Sequence, residues 1–139
     1  MNKMDQSFQI GGRVTIKMAE NGLHVQTLNF EELLSDDFDA IQDRQTNDEF
    51  RNLCISVGRW LLIEGYIKGT ESNNFVGYEP AQLTSKGIAA LQDHRYDPGN
   101  RRSVLDSTGG GKPLSENAYT KIGSFLGGFF GGAVKTIGS

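Results

Sequence analysis

The sequence predicts an α+β domain followed by an apolar, glycine-rich segment. Three observations carry that reading. Val14, Ile16 and Met18 alternate with polar residues ahead of Asn21-Gly22, which joins the period of a half-buried strand to a dipeptide favoured in hairpin turns. Phe50, Leu53, Cys54, Val57, Trp60 and Leu61 recur at helical spacing. Between Lys121 and Lys135 lie 13 uncharged residues, five of them glycine.

Composition bounds the possibilities. A chain of 139 residues, 37% hydrophobic and 22% charged, suits one domain with a real core. The single cysteine, Cys54, excludes an internal disulfide and fits a reducing compartment. The first residues, MNKMDQSFQIGG, lack the apolar stretch of a secretory leader. The expected location is therefore cytoplasmic. Charge is unevenly spread. Residues 1–45 hold four Lys/Arg against eight Asp/Glu, residues 46–102 seven against seven, and residues 103–139 three against two. A sequence pI near 5.3 argues against broad nucleic-acid affinity, which needs a basic patch.

The elements follow in order. RVTIKMAE reads as a strand and LHVQTLNF as its return across Asn21-Gly22, an N-terminal β-hairpin. In NFEELLSDDFDAIQD, residues Phe30, Leu33, Leu34, Phe38 and Ile41 fit one or two helical turns, with the acidic residues elsewhere. Thr46 and Glu49 have capping-box spacing, and Asp48 and Glu49 suit the positive end of a helix dipole. That helix is expected to run to about Glu64 and stop at Gly65. Its exposed side would carry Arg51, Asn52 and Arg59. A hairpin follows, with extended runs at Tyr66–Gly69 and Phe75–Tyr78 around a polar tip. Thr84 caps a helix that buries Ile88 and Leu91 and ends near His94. Residues 96–116, rich in Gly, Pro and polar side chains, read as a flexible linker. The predicted organisation is a domain over 1–95, a linker over 96–116 and an apolar tail over 117–139.

Leu61-Leu62-Ile63-Glu64-Gly65-Tyr66-Ile67 and Leu83-Thr84-Ser85-Lys86-Gly87-Ile88-Ala89-Ala90-Leu91 resemble the closing half of a winged helix-turn-helix domain. The pattern is a helix ending in a Gly-Tyr-Ile step, a hairpin wing and a capped last helix, and it covers residues 50–94. It is similar to small bacterial and phage winged-helix proteins. The resemblance implies a winged-helix-like central domain and a helix that reads DNA. Its phosphate-facing candidates are Arg51, Asn52, Arg59, Lys68 and Lys86, with Arg95, Arg101 and Arg102 further along. Asp48 and Glu49, at the end of the helix that would approach bases, oppose that role. Two clear helices ahead of the reading helix, usual in the family, are missing from the pattern.

No catalytic signature appears, and the chain is expected not to be an enzyme. STGGGKP has Asp106 where a P-loop needs its first glycine and Pro113 where it needs Ser or Thr. Cys54 has no partner at CxxC spacing and lies on the apolar helix face, so it reads as a core thiol. His24 and His94 lack metal-ligand spacing, and no cofactor is implied. Asp36, Asp37 and Asp39 form an acidic face suited to a basic protein partner, or simply a solvated one. In the tail, Gly123, Gly127 and Gly131 recur every four residues, while Phe125, Phe129 and Phe130 gather elsewhere. Thirteen residues make a helix of about 20 Å, short of the roughly 30 Å hydrocarbon core. Small-xxx-small spacing favours close packing against protein, a second copy or the chain itself, ahead of a membrane surface.

The reading is a non-enzymatic binding module, either a DNA-binding regulatory accessory protein or an acidic protein-binding factor of inhibitor, immunity or adaptor type. A membrane-associated effector acting through the tail ranks third.

Overall fold

The computed structural model describes the backbone of residues 2–34, 47–108 and 114–138, with side-chain surroundings given for 2–34, 48–108 and 114–128. The chain is α+β: a three-stranded antiparallel sheet with helices packed around it.

The first element is a helix, α1 (Lys3–Glu20), where the hairpin reading placed a strand. The Asn2 side chain caps it, accepting from the Asp5 N–H at 2.8 Å. Ile10, Val14 and Met18, spaced by four, are all fully buried. Ile16 is buried too, because α1 is covered on more than one side, and that masks the helical period locally. Asn21-Gly22 is a helix stop rather than a hairpin turn. Asn21 is the C-cap, and Gly22 follows at φ +64, the left-handed conformation that ends many helices.

The expected return strand does form as β1 (Gln26–Asn29), but it pairs elsewhere. Its partner is β3 (Gly77–Leu83), which also pairs with β2 (Ile67–Glu71), giving the order β1-β3-β2. Leu28 faces Tyr78 in one register and Ile67 faces Leu83 in the other. Both registers slip by one residue across Glu79-Pro80, a bulge that accommodates a proline in the central strand. The hairpin expected after Gly65 is thus present as β2 and β3.

α2 (Phe30–Leu33) is a single turn capped by Asn29, whose side chain accepts from the N–H groups of Glu31 and Glu32. α3 (Asn47–Ile63) follows the predicted helix closely, and its Thr46 cap lies outside the described residues. Phe50, Cys54, Val57 and Leu61 are buried, and Gly65 sits at φ +82 beyond its end. α4 (Ser85–Leu91) is capped by Thr84, whose hydroxyl accepts from the Gly87 N–H at 3.0 Å.

The stretch expected to be a linker carries structure in its described part. A 3₁₀ turn spans His94–Tyr96, a two-way backbone bridge joins Asp97 to Arg102, and α5 (Val104–Ser107) is fixed by a capping box between Ser103 and Asp106. Tyr96, Ser103 and Val104 are buried, which low apolar content alone does not announce.

α6 (Glu116–Gly138) takes in the glycine-rich tail. It packs along α1 as part of the same core: Tyr119, Ile122 and Leu126 are buried. The two helices meet through glycines. A Cβ on Gly12 would overlap the Tyr119 carbonyl oxygen, and one on Gly123 would overlap the Phe8 carbonyl oxygen. Arg13, buried beside this seam, lays its guanidinium 4.3 Å from the centre of the Tyr119 ring.

Candidate functional site

The polar face of α3, with the hairpin beside it, is the surface that the sequence singles out, and the structure assembles it. Burial of Phe50, Cys54, Val57 and Leu61 forces Arg51, Asn52, Ser56 and Arg59 outward. Ile63 continues the same face and is 81% exposed. An open hollow of about 260 Å³ at the head of this face is lined by Lys3, Glu49, Asn52, Leu53 and Ser56.

Both arginines meet carboxylates from neighbouring elements. Arg51 Nη2 lies 3.2 Å from Glu31 Oε1 on α2, and Arg59 Nη2 lies 3.1 Å from Glu71 Oε1 on β2. All four side chains are about half exposed, so each pair contributes at most about 1 kcal/mol. Their effect is on the field rather than on stability. Burial raises the Tyr78 phenol above its ordinary range; Glu71 adds to the rise and Arg59 opposes it, so Tyr78 feels both members of that pair.

The remaining predicted cations divide. Lys68 is exposed on β2 and makes no ion pair among the described residues. Lys86 is turned inward: its ammonium donates to the Glu64 carbonyl at 2.6 Å and lies 5.0 Å from the centre of the Tyr66 ring. It closes the C-terminal end of α3 rather than facing a ligand. Arg95 is held by Asp93 at 2.7 Å, and this pairing lowers the Asp93 carboxyl below its ordinary range. Arg101 and Arg102 are exposed at the bridged loop. Around α3, exposed Glu31, Glu32, Asp48, Glu49 and Glu71 outnumber Lys3, Arg51, Arg59 and Lys68.

The other candidates fall in different places. Asp36, Asp37 and Asp39 lie outside the described residues. Gly123 and Gly127 are taken up inside the chain, Gly123 against the Phe8 backbone and Gly127 between the Phe8 and Trp60 rings. Phe125 is half-buried, edge-on to Tyr96 with ring centres 5.5 Å apart. The backbone of Phe129, Phe130 and Gly131 continues α6, and their side-chain surroundings are outside the described set. Cys54 is buried, and burial, with Glu31 adding, pushes its thiol up to about 12.

Among the described residues no three of His, Cys, Asp and Glu come together as a metal centre would need, and no helix is long and apolar enough to cross a membrane. The partners Glu31 and Glu71, the exposed Ile63 and the inward turn of Lys86 escaped the sequence reading. None has a signal at fixed spacing, because each depends on which elements become neighbours. No family model, curated protein or solved structure matches the chain.

Proposed function

We propose that this chain is a non-enzymatic protein-binding module on a winged-helix-like scaffold, with the α3 face and the adjoining hairpin as its contact surface. One observation carries the preference over nucleic acid. The two arginines best placed to meet phosphate are each matched by an intramolecular carboxylate, Glu31 and Glu71, which a DNA backbone would have to approach. The exposed Ile63 beside polar side chains suits a protein partner better than a phosphate track.

The DNA reading keeps one support of its own. The order helix, strand, helix, then α3 running directly into a β-hairpin is the order in which a winged helix presents its reading helix and wing.

The test uses the full-length protein as bait in host lysate treated with nuclease, beside a mobility assay on duplex DNA at low salt. The proposal expects a protein that survives nuclease treatment and is lost from the Ile63→Glu and Ser56→Arg variants, with no DNA shift. A DNA shift that weakens and loses salt dependence in Arg51→Ala/Arg59→Ala hands the face to nucleic acid.

A further inference from the structure

Tyr66 is the residue where the base of the hairpin meets α6. It is fully buried between the end of α3 and the start of β2. Its hydroxyl donates to the Leu126 carbonyl of α6 across 60 residues of sequence. Its own carbonyl accepts from the Thr84 N–H at 3.1 Å, which ties the root of β2 to the start of α4. Its ring packs on Trp60 with centres 6.0 Å apart, and the Trp60 ring in turn lies 3.7 Å from where a Cβ on Gly127 of α6 or on Gly11 of α1 would sit.

The acceptor is placed at a weak point of α6. Leu126 is followed by Gly127 and Gly128, and each glycine costs a helix about 1 kcal/mol relative to alanine. A carbonyl oxygen has two lone pairs, so a side-chain donor adds to the helix's own hydrogen bond instead of replacing it. The Tyr66 hydroxyl therefore braces this turn from the side of α3 and the hairpin, while the Phe8 ring braces it from α1.

We infer that Tyr66 couples α6 docking to the α3–hairpin surface, so that an event loosening α6 from α1 also loosens β2 and the last turn of α3. A ligand engaging either side would then change the affinity of the other by the same factor, as linkage requires. This coupling does not depend on which partner the α3 face takes.

Hydrogen–deuterium exchange on the full-length chain tests it. Tyr66→Phe keeps the ring and removes only the donor, so the fold survives. Its expected effect is faster exchange, by about three- to tenfold, in both residues 122–128 and residues 67–71. Phe8→Ala loosens α6 from the α1 side without touching Tyr66. It should accelerate the same β2 amides, and its effect there should shrink when Tyr66→Phe is already present. Acceleration confined to α6 in both variants, with β2 at wild-type rates, overturns the coupling. So does strict additivity of the two substitutions at β2.

Discussion

Gly123 rests directly on the main chain of Phe8, with no room for a side chain between them. Four residues later on α1 and four earlier on α6 the relation is mirrored, with Gly12 against the carbonyl of Tyr119. Gly12 and Gly123 therefore form a helix-crossing seam within one chain.

That seam predicts opposite signs for two glycines one turn and a residue apart. Gly123→Ala forces two backbones apart and should destabilise the protein by about 1–3 kcal/mol or more. Gly128→Ala meets open space and should stabilise α6 by up to about 1 kcal/mol. Thermal unfolding by circular dichroism reads both. Equal shifts of the same sign would mean that α6 does not dock on α1 at Gly123.

Truncation after Thr108 should not leave a folded remainder. It removes Tyr119, Ile122 and Leu126 from the core and uncovers the side of α1 that carries Phe8, Gly12 and Arg13. The expected product keeps helical signal but loses near-ultraviolet dichroism and binds hydrophobic dye. A truncated chain with a sharp unfolding transition near the full-length value would restore the view of the tail as a separate unit.

Lys86→Met keeps an unbranched chain of similar length and deletes the ammonium that donates to the Glu64 carbonyl and lies beside the Tyr66 ring. Loss of a charge-assisted hydrogen bond should cost about 1–3 kcal/mol, seen as a lower denaturant midpoint with an unchanged slope. Lys68→Met, on the exposed side of β2, should stay within about 0.5 kcal/mol of the parent. If the two behave alike, the inward placement of Lys86 is not contributing.

Cys54 gives the pH prediction. Its thiol is pushed up to about 12 in the folded protein from an ordinary value of 9.0. A raised acid stays neutral when folded while the unfolded chain ionises. The stability it contributes is intact below pH 9 and falls between pH 9 and about 12, by up to about 1.4 kcal/mol per unit. A thiol reagent at pH 8 should react with Cys54 only as fast as the protein opens. Cys54→Ala should flatten the alkaline loss measured by denaturant titration at stepped pH.

The local chemistry of this chain was written in short windows. α3 was legible because Phe50, Cys54, Val57 and Leu61 repeat on one face and Gly65 stops them. The hairpin and α4 were legible because Gly65, the polar turn and Thr84 act on residues within a few positions of themselves. Three things needed the assembled molecule. Val14, Ile16 and Met18 fit a strand as well as a helix covered on several sides, and that cover comes from α6 together with α3, α2 and β3. Asn21-Gly22 can turn a hairpin or end a helix, because a left-handed glycine serves both. The glycines at 123 and 127 ask for a close neighbour in any context, and the sequence left open whether it was lipid, a second copy or α1. The charge state of the α3 face was decided the same way. Arg51 and Arg59 were plain in the sequence, but Glu31 lies 20 residues from one and Glu71 lies 12 from the other, and their pairing exists only because α2 and β2 pack beside α3. Local propensity acts over a turn or two of chain, whereas burial and electrostatic pairing depend on which surfaces the whole fold brings together.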